Sequence, residues 1–243
     1  MFVAENEFGK RIYATEFISK EECYFCPVCK GIVKLRAGSV NMPHFAHISL
    51  EQCQDDFASD MSEWHREWQM LFPEKNREVI ITHNGETHRA DILCYGTVIE
   101  FQHSPISETE FWRRNEFYTE AGYRVVWIFD VIDIYSGFGT DERLSCIGDW
   151  DNAWGNGAKY KWKYPWRFLG GFIPQDEKKI DIFIQIVPVG DDPKGEDADC
   201  CLERVTWVNP YCKTIWSYFH TSYEVMNYSE LLDWLIKNRT KNG

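Results

Sequence analysis

The sequence lacks any segment that would place it in a membrane. In a chain of 243 residues that is 44% hydrophobic, no apolar run approaches the ~20 residues that span a bilayer. Its first residues, MFVAENEFGK, carry acids and lack the apolar stretch of a signal peptide. Internal repeats and long low-complexity tracts are also absent. We therefore expect a soluble, cytoplasmic, globular protein with no membrane partner.

Positive charge is scarce as well. The chain has 26 basic and 38 acidic residues and a net charge of -12, so a nucleic-acid interface must concentrate its cations locally. The stretch KYKWKYPWRF, residues 159–168, does so by alternating cations with aromatic residues. A strand of this pattern would offer Lys161 and Lys163 to phosphates and aromatic rings to bases. An exposed strand with aromatic core residues on one side explains the pattern equally well.

A complete disulfide framework is excluded by the odd number of cysteines, nine. In a reducing compartment such cysteines are metal ligands or core residues. Cys26 and Cys29 form a C-x2-C pair, and histidines and a further cysteine follow at short spacing. Zinc takes four such ligands in a tetrahedron. We predict a structural zinc site of Cys26, Cys29, His47 and Cys53, with His44 as the alternate ligand; reduced cysteines beside a histidine-rich turn are the alternative.

Composition and periodicity divide the chain into three parts. Residues 1–60 form a zinc-finger-like module of short strands. Residues 61–135 read as helix, three strands, helix and strand, which predicts helices packed on a mixed sheet. Residues 136–243 contain short aromatic runs broken by glycine and proline, and form either an extension of the core or a small third domain.

Two capping-box spacings mark where helices of the central part begin. Asp60 with Glu63 precedes apolar residues at helical intervals. Ser107 with Glu110 opens a second helix, which is predicted to run to about Ala121. Both patterns place a side-chain acceptor in front of the first helical turn.

The central part contains two acids in otherwise apolar strands, within HRADILCYGTVIEFQHS, residues 88–104. Burying Asp91 and Glu100 is costly unless something neutralises them. If Tyr95 and Gly96 form the turn of a hairpin, the two acids lie directly opposite each other; a turn at Gly96 and Thr97 makes them diagonal neighbours. A three-residue loop would place them on opposite faces of the sheet.

Two converging carboxylates are the hard oxygen ligands that Mg²⁺ prefers. Such a metal activates water and stabilises the pentavalent phosphate of phosphodiester hydrolysis. Glu63, on the preceding helix, could reach the same metal from the side. The alternative is that Asp91 and Glu100 form structural ion pairs with arginines such as Arg89 and Arg114.

Several stretches together resemble the competence protein CoiA-like family of the PD-(D/E)xK nuclease superfamily. They are FCPVC, PHFAH, SEWHREW, RADI, VIEFQHSPIS, RRNEFY and VVWIFD, in the family's order, and they extend from residue 1 to about 135. The C-terminal third matches only loosely. The resemblance implies a zinc-binding N-terminal module, a restriction-endonuclease-like core, and action on DNA in transformation, recombination or defence.

By position, the resemblance assigns Asp91 as the motif's metal-binding aspartate and Glu100 as its second acid. Gln102 occupies the position that is lysine in most of the superfamily but glutamine in this family. A neutral amide orients water but supplies no charge to the transition state. Arg89 lies on the same strand face as Asp91 and is a candidate substrate contact.

The resemblance also assigns residues on the two helices. Glu63 and His65 fall in the family's first helix motif, and His65 is a candidate for the proton-handling that Gln102 cannot supply. Arg114 and Tyr118 fall in its "R…Y" motif, one helical turn apart, so they are predicted to face the phosphate together.

The sequence thus predicts an α/β (α+β) protein: a restriction-endonuclease-like mixed sheet flanked by helices, with an N-terminal zinc-binding module and an aromatic-rich C-terminal extension. Its predicted function is hydrolysis of DNA phosphodiester bonds with catalytic Mg²⁺ or Mn²⁺ and structural Zn²⁺. The alternative is a catalytically weak or inactive DNA-binding recombination mediator. Protein partners from a recombination or defence system fit both hypotheses.

Overall fold

A computed structural model describes most of the chain, in two compact units of residues 1–92 and 93–243. The described residues are 1–15, 17–38, 43–49, 53, 62–153, 155–164, 180–187, 202–209, 216–225 and 227–239. No helix among them is long and apolar enough to cross a membrane. The division at residues 60 and 135 stays a prediction.

The first unit opens with a five-stranded antiparallel sheet in the order β2-β1-β3-β4-β5. The strands are β1 Val3–Glu5, β2 Arg11–Tyr13, β3 Tyr24–Phe25, β4 Ile32–Arg36 and β5 His44–His47. Alternation along the strands sends Val33, Leu35 and Phe45 into a small core, where Phe45 lies 4.9 Å from the ring of Tyr24. The Phe45 N–H also donates to the Met1 carbonyl at 2.9 Å, so β5 borders the start of the chain.

The rest of the first unit is a helix and an antiparallel strand pair: α1 Glu63–Leu71, a 3-10 turn Glu74–Asn76, β6 Arg77–His83 and β7 Glu86–Cys94. The predicted N-cap at Asp60 is wrong, because Ser62 caps the helix. Ser62 is the last residue with extended backbone, and its Oγ accepts from the His65 N–H at 3.2 Å. Asp60 itself lies outside the described residues.

Glu78 ties the opening sheet to this strand pair. It is 2% exposed and adopts a left-handed φ of 44° on β6. Its two carboxylate oxygens accept the N–H groups of Phe2 and Val3 at 2.8 and 2.9 Å. A buried carboxylate thus satisfies two backbone donors at the beginning of β1.

The second unit is built on a mixed sheet in the order β10-β11-β12-β15-β14-β13-β9-β8. Its elements are β8 Thr97–Gln102, α2 Glu108–Glu120, β9 Arg124–Asp130, a 3-10 turn Ile132–Ile134, β10 Tyr135–Phe138, β11 Leu144–Asn152, β12 Gly155–Lys163, β13 Ile180–Gln185, β14 Leu202–Val208, β15 Trp216–Ser222 and α3 Tyr228–Lys237. Strand β9 pairs in parallel with β8 on one side and with β13 on the other. The pairs β13–β14, β14–β15 and β15–β12 are antiparallel.

The two helices of this unit cover opposite faces of the sheet. Trp127 of β9 donates its indole N–H to Asn115 of α2 at 2.9 Å. Arg124, an odd number of residues away on the same strand, lies 4.9 Å from the ring of Trp234 on α3. The predicted class, a mixed sheet flanked by helices, is confirmed.

The described strands of residues 136–243 continue the sheet of β8 and β9. The run IDIFIQ forms β13, which pairs in parallel with β9 from Ile180 opposite Val125 to Gln185 opposite Asp130. The last described helix is α3, capped by Asn227, whose side chain accepts from the Glu230 N–H. Phe183 of β13 packs edge-on against Trp234, with ring centroids 5.4 Å apart.

Candidate metal centre and carboxylate clusters

Four thiol and imidazole donors converge in the first unit. Cys26 and Cys29 come from the connection between β3 and β4, His47 ends β5, and Cys53 follows; their ligand atoms all lie within 4.8 Å of one another. Cys29 Sγ is 3.4 Å from His47 Nε2, close to the ~3.5–3.8 Å between ligands of a tetrahedral zinc ion. This is the predicted set, and His44 is not part of it. The cluster could hold zinc.

The Cys26–Cys29 connection has the backbone of a ligand-presenting turn. The N–H of Cys26 donates to Gly31 O at 2.8 Å, and the N–H of Lys30 donates to Cys26 O at 2.9 Å. The N–H of Gly31 points at Cys29 Sγ, 3.4 Å away. Burial raises the pKa of the Cys26 thiol, although the N–H groups of Cys29 and Val28 oppose that shift. A cation at this position would favour the thiolate that coordinates it.

Asp91 is paired with His65 in the first unit. His65 Nε2 lies 3.0 Å from Asp91 Oδ1 and 3.1 Å from Gln69 Nε2, one turn further along α1. His65 and Gln69 are buried, whereas the Asp91 side chain is 14% exposed. The predicted helix motif thus contacts Asp91 through His65. Gln69 also contacts His65, and the sequence analysis did not single it out.

The other two candidates of this unit differ in exposure. Glu63, the first residue of α1, is exposed. Arg89 is buried on β7, and its Nη1 lies 3.9 Å from Glu78 Oε2. Arg89 therefore balances a buried carboxylate of its own unit.

Glu100 is held by two residues of α2 in the second unit. Arg114 Nη1 donates to Glu100 Oε2 at 3.1 Å, and the Tyr118 hydroxyl donates to Oε1 at 3.0 Å. Glu100 is 2% exposed and Arg114 6%. Arg114 and Tyr118 come together because residues four apart share one helix face, as the sequence predicted, and here that face meets β8. Both donors therefore contact Glu100.

Glu110 completes this cluster and was missed as a site residue. Its Oε1 accepts Arg114 Nε at 2.8 Å and its Oε2 accepts Arg113 Nη2 at 2.9 Å. Burial alone lowers the pKa of the Arg114 guanidinium, but the charges of Glu100 and Glu110 outweigh it and raise that pKa above its ordinary value. The i,i+3 and i,i+4 spacing to two arginines was the available signal; the sequence analysis used Glu110 only as a capping residue.

Gln102 follows Glu100 by two residues on β8, so the two side chains share a face. Gln102 is 5% exposed, and its Nε2 donates to the Ser104 carbonyl at 2.5 Å. Its amide is thus anchored to the chain just beyond the strand.

The lysines of β12 lie far from Glu100 within the second unit. The predicted alternation is present, since Tyr160 and Trp162 are buried between the lysines. Lys161 forms an ion pair with Asp141, and Lys163 lies 5.8 Å from the ring of Tyr164. Four strands lie between β12 and β8, so five spacings of about 4.8 Å put the two strands roughly 24 Å apart. Residues 165–168 of the stretch lie outside the described residues.

The described geometry defines a class of protein: a module with a Cys₃His cluster that could hold zinc, followed by an α+β unit with a buried, arginine-bonded glutamate on its sheet. Two family comparisons agree with it. Residues 10–56 match the N-terminal domain of competence protein CoiA, and residues 83–137 match the nuclease-like domain of competence protein CoiA. These two matches support a place in the CoiA-like family, and the nuclease-like match is consistent with the PD-(D/E)xK superfamily.

The two matched domains contain different groups of candidate residues. All four thiol and imidazole donors lie within residues 10–56, and Asp91, Glu100, Gln102 and Arg114 lie within residues 83–137. No curated protein and no solved structure matches the chain.

Proposed function

We propose that the chain is a metal-dependent nuclease that hydrolyses DNA phosphodiester bonds, with Asp91 and Glu100 as the ligands of Mg²⁺ or Mn²⁺. The observation that carries the proposal is that the nuclease-like match spans both acids, of which Glu100 is a buried carboxylate held by Arg114 and Tyr118. An enzyme that binds a cation at a buried acid needs that acid fixed in position.

The turn between β7 and β8 has the two-residue length that the nuclease hypothesis requires. β7 ends at Cys94 and β8 begins at Thr97, which leaves Tyr95 and Gly96 with φ values of 51° and 72°. Positive φ at both central residues is typical of a two-residue hairpin turn. This is the turn for which the sequence predicts Asp91 opposite Glu100.

When bound, the metal would supply Lewis-acid activation of water and stabilise charge on the phosphate. The chain's own residues have separate roles. His65, 3.0 Å from Asp91 Oδ1, orients that carboxylate and accepts a proton at its imidazole. Arg114 balances the charge of Glu100. Gln102 orients water through Oε1, because its Nε2 is engaged by Ser104.

Glu63 is the proposed additional metal ligand, and its exposure at the start of α1 leaves its carboxylate accessible. Tyr118 positions Glu100 through its hydroxyl. The substrate contacts proposed for Arg89, Lys161 and Lys163 have weaker support, since Arg89 is buried beside Glu78 and Lys161 is paired with Asp141.

A non-cleaving DNA-binding mediator is the second candidate. One observation favours it: both oxygens of Glu100 accept protein hydrogen bonds, and the side chain at the usual lysine position is a neutral amide bonded to the backbone. Each carboxylate oxygen has two lone pairs, so these bonds leave room for a cation.

The test is cleavage of single- and double-stranded DNA with Mg²⁺ or Mn²⁺ by the wild type and by Glu100→Gln. We expect Glu100→Gln to lower the rate by roughly a hundredfold or more, because it removes the charge that holds the metal. Asp181→Asn is the matched control: Asp181 is also a buried, arginine-bonded carboxylate of this sheet, held by Arg124 and Arg204. Its folded fraction should cleave at the wild-type rate.

Two results would reject the nuclease. Metal-independent or absent cleavage by the wild type, with DNA binding retained, would favour the mediator. Equal cleavage by wild type and Glu100→Gln would remove Glu100 from the chemistry.

A further inference from the structure

The solvent side of β4 and β5 carries positive charge without acids. On β4, Ile32, Lys34 and Arg36 are exposed while Val33 and Leu35 between them are buried. Lys34 pairs with Ala46 and Arg36 with His44 on β5. We call this surface, made of Ile32, Lys34, Arg36, His44 and Ala46, the β4–β5 face. Neither strand contains an acidic residue.

The cations of this face are not neutralised by the residues that the structure describes. The side chains of Lys34 and Arg36 form no ion pair or hydrogen bond with any of them. Residues 1–53 hold six basic and six acidic residues, so the whole net charge of -12 belongs to the residues that follow. Paired cations are the contrast: Lys30 binds Glu5 at 2.6 Å in the same module.

A third cation lies at the end of the face, and an exposed aromatic residue precedes it in the chain. Lys20 Nζ donates to the carbonyl of Ala37, the residue that follows β4, at 2.6 Å. Phe17, three residues before Lys20, is 89% exposed. At the other end Ile32 and Ile48 are 50% and 59% exposed. The surface thus combines cations with exposed apolar groups. At its centre Ala46 contributes only a methyl group.

We propose that the β4–β5 face, with Lys20 and Phe17, binds single-stranded DNA. Phosphates would contact Lys34, Arg36 and Lys20, and a base would stack on Phe17. Backbone-tracking cations beside an aromatic platform are the combination that binds single strands, because unpaired bases expose their π faces. In a duplex the bases are stacked on each other, which leaves Phe17 without a partner. The proposal rests on the proposed function only in taking DNA as the substrate.

The test uses the full-length, zinc-loaded chain with Ca²⁺ replacing Mg²⁺, and measures anisotropy of a labelled single-stranded DNA and of the same sequence as a duplex. Lys34→Gln with Arg36→Gln should weaken single-strand binding roughly tenfold and flatten the slope of log K against log salt by about 1.4, or ~0.7 for each lost phosphate contact. Lys34→Arg with Arg36→Lys should retain the affinity, and all variants should retain the zinc content of the wild type.

Two further variants sharpen the result. Phe17→Ala should weaken single-strand binding roughly tenfold and leave duplex binding unchanged. Lys237→Gln with Arg239→Gln removes the same charge from exposed positions of the second unit and should change neither. An unchanged salt slope in the Lys34/Arg36 variant, an equal loss in the Lys237/Arg239 variant, or no effect of Phe17→Ala would overturn the proposal.

Binding and cleavage separate this inference from the proposed function. A wild type that binds single strands through the β4–β5 face but never cleaves would reject the nuclease and keep the face. Metal-dependent cleavage with unaltered binding and KM in the Lys34/Arg36 variant would keep the nuclease and reject the face.

Discussion

The Cys₃His cluster and the Glu100 cluster are both groups of potential metal ligands, yet their donors are arranged differently. In the first unit four donor atoms lie within 4.8 Å of one another. In the second unit Glu100 already accepts bonds from Arg114 and Tyr118. Soft donors that converge need a cation to bring them together, whereas a buried acid that meets an arginine is balanced without one.

This difference matches the two kinds of metal site that we propose. A closed set of four ligands holds a fold together and leaves no position for a substrate. A carboxylate fixed by an arginine and a tyrosine keeps its place when the cation leaves, as an exchangeable catalytic ion requires. Loss of the metal should therefore unfold the part of the chain around the Cys₃His cluster. At the Glu100 cluster, loss of the metal should stop activity and leave the fold intact, whereas loss of the arginine partner should lower stability.

Loss of Cys26, a ligand in the proposed zinc site, is expected to have the largest effect. Apparent binding free energies of structural zinc in zinc-finger peptides are about 10–16 kcal/mol, and this energy is folding energy. Cys26→Ser should therefore lose the metal and unfold the five-stranded sheet of β1 to β5. Metal content and the unfolding transition measure both effects.

Cys23→Ser is the matched control, because Cys23 is an exposed cysteine three residues away and outside the cluster. It should keep one zinc per chain and the wild-type transition. Wild-type zinc content in Cys26→Ser would contradict the assignment of the cluster.

Arg114→Ala is expected to have an intermediate effect on the Glu100 cluster. The variant leaves Glu100 buried without its cation, which typically costs about 3–5 kcal/mol of unfolding free energy. Arg113→Ala removes the neighbouring arginine, which binds the same Glu110 but has a side chain 42% exposed. An exposed pair of this kind contributes about 0.3–0.5 kcal/mol. Urea unfolding of both variants measures the difference, and equal losses would show that Glu100 does not depend on Arg114.

The clusters also differ in how far they follow from the sequence. Short spacing identified all four residues of the Cys₃His cluster, because C-x2-C and the β4–β5 hairpin bring them together locally. Helical spacing likewise placed Arg114 and Tyr118 on one face, and Ser107 was confirmed as the N-cap of α2 by its bond to the Glu110 N–H. These predictions succeeded because the relevant contacts are set within one or two elements.

Contacts between distant segments could not be predicted. The parallel pairing of β13 with β9 joins strands about fifty residues apart, and no local pattern encodes such a neighbour. The pairing of Lys161 with Asp141 depends on the fold of β10 to β12, so alternation alone did not reveal that this cation is neutralised. The sequence analysis also missed the two exposed cations of β4. Two cations in one strand form no conspicuous pattern, and only the folded sheet shows that no acidic residue lies beside them on β4 or β5.

A second buried glutamate gives the finest test of the role of arginine. Glu203 on β14 is 4% exposed, but its oxygens accept bonds from the hydroxyls of Tyr160, at 2.8 Å, and Thr221. Burial raises the pKa of Glu203 above its ordinary 4.5, and these two bonds only partly oppose the shift. The folded state therefore holds the proton more tightly than the unfolded chain does.

Such a shift makes stability fall as pH rises from about 4.5 through the folded-state pKa, because only the protonated acid is easily buried. Glu203→Gln should remove this fall. As the pH rises, the unfolding free energy of the variant should therefore increase relative to that of the wild type, by about 1.4 kcal/mol for each unit by which the pKa is raised. Urea unfolding between about pH 5 and 8 measures the gain. Glu100→Gln is the comparison: it leaves Arg114 without a buried counter-charge and should show no such gain. A Glu203→Gln variant that is destabilised equally at every pH would mean that Glu203 is buried as a carboxylate, and that hydroxyl donors suffice where Glu100 uses an arginine.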